Sequence, residues 1–180
     1  MHAPAAFRQQ LLGAIPRLRR YARSLVMEVH LADDLVQTAL ERALAHWHQF
    51  DQRRDLVLWA LSILHNAHLD FRRRDARTTA MDPADLAAEM DAHQAAAPPH
   101  DPGLRIDLQA ALRRLQPDQR EVLLLVGVEQ LSYAEAAELL NIPIGTVMSR
   151  LSRARAALRA SLEGGSSAAG HPPPTLRRVI

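Results

Sequence analysis

The sequence predicts an all-α protein made of two small helical domains joined by a flexible linker. Nearly half of the 180 residues are hydrophobic but only 4% are aromatic, and Ala, Leu and Arg dominate, which favours helices over sheets. Apolar residues recur every three to four positions along several segments, as in helices that bury one face. Between the two groups of helices, residues 76–103 are rich in Ala, Pro and acidic residues, a composition typical of a linker.

Three helices are expected in the first domain, residues 1–75. The first should run from Phe7 to Val26 and the second from Leu31 to Trp47, because each segment carries one apolar stripe at helical spacing. The third should run from Leu56 to Arg74 and end in a cluster of arginines. Four polar residues fall together on the outer face of the second helix: Asp34, Gln37, Thr38 and Glu41.

The second domain, residues 104–163, carries clear helix start and stop signals and is expected to contain three helices. Pro117 suits the first turn of one helix, and the pair Ser132 and Glu135 has the spacing of a capping box at the start of the next. Asn141 can adopt the left-handed conformation that ends that helix. A further helix should follow from Thr146 to about Leu162, which completes a helix-turn-helix pattern.

The last helix has the residue types that a reader of the DNA major groove needs. From Ile144 to Leu162 it carries four arginines and no acidic residue, and small hydroxyl residues lie between the arginines. Short side chains let a helix backbone approach the bases, while arginine reaches guanine or phosphate. An ordinary amphipathic helix with a solvated basic face is the alternative. The predicted DNA-binding residues are Thr146, Ser149, Arg150, Ser152, Arg153 and Arg155, with base contacts from Ser149, Ser152 and Arg153.

Composition argues against several other classes of protein. The chain has no Cys, which excludes disulfides, thiolate metal sites and cysteine nucleophiles. Its nine His show no metal-ligand motif, and no glycine-rich phosphate loop or nucleophile signature is present. We therefore expect no enzyme activity, catalytic residue, metal, cofactor or small-molecule substrate. The longest apolar run, Val122 to Val128, is too short to cross a bilayer, so a cytoplasmic protein without membrane insertion is expected.

Several strings match one known family. They are LQPDQREVLL at 115–124, LSYAEAA at 131–137 and PIGTVMSRLSRARAAL at 143–158, together with ADDLVQTAL at 32–40 and WALSILHN at 59–66. The first three resemble region 4 of bacterial extracytoplasmic-function (ECF) sigma factors, and the last two resemble region 2. One departure is His65, which stands where arginine is usual in the family.

This resemblance implies a sigma factor that binds core RNA polymerase and directs transcription from particular promoters under the control of an anti-sigma factor. Residues 1–75 would bind polymerase and open the −10 element, and residues 104–163 would read the −35 element and meet the β flap. Asp34, Gln37, Thr38 and Glu41 would dock on the clamp coiled coil of the β′ subunit. The residues implied at the −10 element are Phe50, Gln52, Arg53, Arg54, Asn66, Arg72 and Arg73.

Two alternatives to a sigma factor are also compatible with the sequence. A sigma-like decoy would bind an anti-sigma protein and never contact promoters, and a helix-turn-helix repressor would dimerise on a palindrome. Residues 164–180, rich in Gly, Ser and Pro, are expected to form a disordered tail.

Overall fold

A computed structural model describes residues 3–79 and 102–166 of the chain. In these ranges it contains seven α-helices and no strand, so the predicted all-α class is confirmed. The helices are α1 (Ala5–Val26), α2 (Val29–Ala45), α3 (Leu56–Thr79), α4 (Pro102–Arg114), α5 (Pro117–Gly127), α6 (Tyr133–Leu140) and α7 (Ile144–Ser166). A short 3-10 helix, Trp47–Gln49, follows α2.

The predicted boundaries shift where helices continue further than their apolar stripes. α3 extends four residues into the predicted linker, to Thr79, and α4 already begins at Pro102. α7 ends at Ser166, inside the predicted tail. The rest of the predicted linker and tail, 80–101 and 167–180, lies outside the described residues.

Helices α1, α2 and α3 pack against one another and form the N-terminal unit. The side chains of Leu18, Tyr21 and Leu61 are completely buried between them. Met27 adopts the left-handed conformation and ends α1, and Glu28 begins α2 by accepting hydrogen bonds from the main-chain amides two and three residues later. This sharp turn brings α2 back along α1.

Four helices, α4 to α7, form the C-terminal unit, where the sequence predicted three. The missed helix is α4, which packs on α7 and buries Ala111 just before Leu115. The predicted start and stop signals of α6 are confirmed. Ser132 and Glu135 form a reciprocal capping box at the start of α6, and Asn141 ends α6 with φ 52° and ψ 48°.

The two units pack directly against each other. α1 contacts α5 and α3 contacts α6, and the buried apolar residues of both units form one continuous cluster. None of the described helices is both long and apolar enough to cross a membrane.

Candidate nucleic-acid and protein interfaces

The second helix of the helix-turn-helix, α7, buries one face and exposes the other. Val147, Leu151 and Ala154 are buried against the rest of the C-terminal unit, and Leu158 is half-buried. The four residues recur at helical spacing, which places them on one face of α7. The opposite face of α7 therefore points to solvent.

The predicted DNA-binding residues of α7 share this outer face and its flank. Thr146 and Arg150 are half-buried, and Arg150 forms an ion pair with Asp118 at 2.6 Å. The Ser149 hydroxyl donates to the main-chain carbonyl of Thr146, and Arg153 Nε donates to the carbonyl of Ser149 at 3.2 Å. The remaining members of the set are exposed: Ser149, Ser152, Arg153 and Arg155.

A polar face of α2 carries the residues that the resemblance assigns to polymerase. Asp34, Gln37 and Glu41 are exposed and Thr38 is half-buried. Gln37 Nε2 donates to Glu41 Oε1 at 2.9 Å, which fixes the position of that carboxylate. Leu44 extends the same side of the helix and is 41% exposed. Sequence reasoning missed Leu44 because a leucine at helical spacing is usually read as a core residue.

The segment before α3 borders an open cleft of about 660 Å³ in the N-terminal unit. Phe50 forms one wall and packs against Phe7 and Trp59, with ring centroids 5.9 Å and 5.3 Å away. Gln52 and Arg54, both exposed, also line the cleft. Of the residues predicted for the −10 element, Phe50, Gln52 and Arg54 therefore come together.

The other predicted −10 residues lie away from this cleft. Arg53 is exposed in the loop, where its main-chain amide donates to Asp51 at 3.0 Å. Asn66, Arg72 and Arg73 are exposed along α3. At 100° per residue Asn66 and Arg73 fall on the same side of α3, whereas Arg72 lies about 100° around the helix from Arg73.

Two of these cations are paired with acids of the C-terminal unit. Arg54 Nη1 lies 2.6 Å from Glu138 Oε1 of α6, and both side chains are well exposed. Arg72 Nη1 lies 3.6 Å from Glu121 Oε1 of α5. In this arrangement the C-terminal unit covers part of the surface predicted to contact the −10 strand.

A third connection between the units is buried. Glu129, in the loop after α5, has a side chain with 0% exposure. Arg17 Nε and Arg20 Nε of α1 donate to its two carboxylate oxygens at 3.0 Å and 2.9 Å, and Arg20 Nη2 adds a bond at 3.0 Å. Arg17 Nη2 also donates to the Glu129 carbonyl at 2.9 Å. The hydrogen bond to Glu129 raises the pKa of Arg20 above its ordinary value.

His65 and His68 lie buried on α3, and His68 is close enough to Arg120 of α5 to be affected by its charge. His65 Nδ1 lies 3.4 Å from the hydroxyl of the buried Tyr21. Burial lowers the pKa of each histidine to about 4. The positive charge of Arg72 makes a smaller contribution to both shifts. Both are therefore neutral at pH 7. Because both side chains are buried, neither can contact a DNA strand in this arrangement.

Glu121 belongs to the same buried polar group. Burial raises its pKa, although the nearby Arg72 opposes the shift. Burial likewise lowers the pKa of Arg120. Within the part of the chain that the structure describes, no three His, Asp or Glu residues are grouped so that they could hold a metal ion.

Comparison with known proteins identifies the family. Residues 105–158 match the model of sigma-70 region 4, and residues 11–65 match the Sigma2 domain of PhyR. The chain is 36% identical over 181 residues to the ECF RNA polymerase sigma factor EcfG of Rhodopseudomonas palustris, covering 97% of this chain and 95% of that one. The chain belongs to the ECF sigma factors.

Other similarities agree with this assignment. SigM of Bacillus subtilis, an ECF RNA polymerase sigma factor, is 29% identical to this chain, and the match covers 81% of this chain and 88% of SigM. The sigma factor RpoE of Bartonella quintana, solved in complex with the anti-sigma factor NepR, superposes with a TM-score of 0.78 at 34% identity, covering 89% of this chain and 98% of that chain. CnrH, solved with the cytosolic domain of CnrY, gives 0.64 at 27% identity, with 88% of each chain covered.

Proposed function

We propose that this ECF sigma factor binds core RNA polymerase in the cytoplasm and directs it to promoters, with the C-terminal unit reading a duplex −35 element. The outer face of α7 carries this proposal. It combines exposed Ser149, Ser152 and Arg153 with a complete absence of acidic residues from Ile144 to Leu162. Such a face is complementary to the negative charge and hydrogen-bonding edges of the major groove.

The polar face of α2 is the proposed docking site for the clamp coiled coil of the polymerase β′ subunit. Exposed Asp34 and Glu41 supply negative charge, and exposed Leu44 beside them supplies an apolar contact. Interfaces commonly combine a buried apolar anchor with a charged rim. The C-terminal unit would contact the β flap in the same complex.

The cleft beside Phe50 is the proposed site for an unpaired base of the −10 element. Extruding a base costs a few kcal/mol, which stacking on an aromatic ring and contacts to the phosphate backbone can offset. Phe50 offers the ring, Gln52 offers an amide for a base edge, and Arg54 offers a cation. Arg53, Asn66, Arg72 and Arg73 would follow the strand.

Promoter-selective run-off transcription with purified core polymerase tests the whole proposal. The native chain should give a discrete transcript, and Asp34→Ala should weaken association with core polymerase at least about fivefold, as expected for the loss of an interface charge. Glu163→Ala, which removes another exposed carboxylate at the far end of α7, is the matched control. A native chain that does not associate with core polymerase would refute the proposal.

An anti-sigma factor is the proposed regulator. The RpoE structure from Bartonella quintana, at 34% identity to this chain, is a complex with the anti-sigma factor NepR, and CnrH was solved with the cytosolic domain of CnrY. Titrating such a partner into the transcription reaction should reduce the transcript in proportion to complex formed.

A decoy that binds an anti-sigma factor without initiating transcription is the second candidate. PhyR is an anti-anti-sigma factor that was solved in complex with the anti-sigma factor NepR. The match of residues 11–65 to the Sigma2 domain of PhyR is the observation that favours a decoy. The same run-off assay separates the two, because neither a decoy nor a simple repressor supports a transcript.

A further inference from the structure

Two apolar side chains are exposed on the first turns of α7, beside the proposed DNA-reading face. Ile144 is 50% exposed and Met148, one turn later, is 53% exposed. On the same helix Val147 and Leu151 are almost completely buried, so the core of this unit is filled without Ile144 and Met148. Single exposed hydrophobic residues are common on protein surfaces, and the meaning of this pair depends on its neighbours.

The neighbours of Met148 are hydroxyl and guanidinium groups. At 100° per residue, Ser152 lies about 40° from Met148 around the helix and Arg155 lies about 20° away on the other side. Both are exposed. The apolar pair is therefore continuous with the acid-free face of α7. A cationic border of this kind matches DNA better than the apolar groove of a protein partner.

The backbone at this point is also open to close approach. Gly145 lies on the outer face of α7 between the two apolar residues in sequence, and a β-carbon at this position would meet no atom within 4 Å apart from its chain neighbours and the nearby backbone of its own helix. The first turns of the second helix in a helix-turn-helix are the part that enters the major groove. Met148 would therefore be brought to the level of the base edges.

We infer that Met148, with Ile144 beside it, contacts a thymine methyl group in the upstream element and so contributes to promoter selectivity. The thymine C5-methyl is the apolar group that the standard bases present in the major groove, and apolar side chains recognise it by contact. A methionine side chain is unbranched and adapts its shape to such a group. This inference rests on the proposed function, since it requires α7 to read DNA.

The test uses the full chain bound to core polymerase and an upstream element obtained by selection from random duplexes. Each thymine of the selected element, on either strand, is replaced singly by deoxyuridine, which removes only the methyl group. For the native chain one such replacement should weaken binding about three- to fourfold, the value expected for one buried methyl group. For Met148→Ala the same replacement should have no effect, so the two changes are not additive.

Leu108→Ala is the matched control, because Leu108 is an exposed apolar residue of the same unit and lies on α4. It should keep the native penalty for deoxyuridine. The inference is overturned if no deoxyuridine weakens native binding, or if Met148→Ala retains the penalty. A holoenzyme that selects no upstream sequence would refute the proposed function itself, and this inference with it.

Discussion

Replacing Glu129 by Gln should separate the two units of this sigma factor. Glu129 is the only fully buried member of the ion pairs that the described residues form between the units, and it is held by Arg17 and Arg20 of α1. Glutamine has almost the same shape but no charge. The substitution therefore removes the net charge and at least one hydrogen bond, because an amide nitrogen cannot accept from arginine, while it keeps the volume of the side chain.

The size of the effect follows from the geometry. Three hydrogen bonds from guanidinium groups reach the carboxylate, and bonds to charged groups contribute about 1.5–3 kcal/mol each. The net contribution of the contact is far smaller than three times this value. Arg17 and Arg20 are 34% and 51% exposed, so water can replace part of the hydrogen bonding that they lose. Relief from burying a charge offsets the loss further. We expect a net change of about 2 kcal/mol, or about thirtyfold in the ratio of open to closed molecules.

Fluorescence resonance energy transfer between the units measures this ratio. The chain contains no cysteine, so two cysteines can be introduced at exposed positions without background labelling. Leu12→Cys on α1 and Ala156→Cys on α7 are suitable because both residues are exposed. The native chain should show mainly high transfer, and Glu129→Gln should add a population with low transfer.

Glu138→Gln is the control. It removes only the exposed ion pair with Arg54, and exposed pairs contribute about 0–1 kcal/mol, so the transfer distribution should change little. If Glu129→Gln left the distribution identical to that of the native chain, the buried contact would not hold the units together and the reasoning would be wrong.

Two further predictions concern pH and DNA. As the pH falls from 6.5 to about 4, an unfolded chain binds protons on His65 and His68 that the folded chain excludes, because their folded-state pKa values are about 4. The free energy of unfolding should therefore be fully retained above about pH 7 and decrease on acidification by up to about 1.4 kcal/mol per pH unit for each histidine. The raised pKa of Glu121 acts in the opposite direction. Urea denaturation at about pH 7.5 and about pH 5 measures the slope, which His68→Gln should reduce; an equal slope would contradict this account. On DNA, Arg153→Ala should cost about 1–3 kcal/mol and relax preference at one base pair. Arg155→Ala should instead weaken all sequences alike and reduce the salt slope by about 0.9, and competition binding at several salt concentrations distinguishes the two.

Local structure was largely predictable from the sequence because its signals are local. The capping box at Ser132 and the left-handed residue Asn141 depend on side chains within a few positions of each other, and both form as predicted. The spacing of Val147, Leu151 and Ala154 by three to four residues likewise identifies the buried face of α7. Each of these predictions needs only helical geometry.

The contacts between the units were not predictable in the same way. Glu129 lies in a loop, 109 residues from Arg20, and nothing in its immediate sequence indicates that a carboxylate there is buried. Within the N-terminal unit, the sequence likewise did not indicate that His65, which departs from the family pattern, is buried beside Tyr21. Such pairings depend on how helices and loops that are distant in the sequence pack together, which helical periodicity does not encode.

The pairing of Arg54 with Glu138 and of Arg72 with Glu121 bears on how salt titrations of this protein are interpreted. Dissolved ions weaken attraction between arginine and phosphate, and they weaken attraction between arginine and carboxylate as well. Adding salt should therefore lower the affinity for promoter DNA while it also frees two cations that are proposed to contact the DNA. The measured dependence on ionic strength is the difference of these two trends, and it under-reports the number of phosphates that the bound protein contacts.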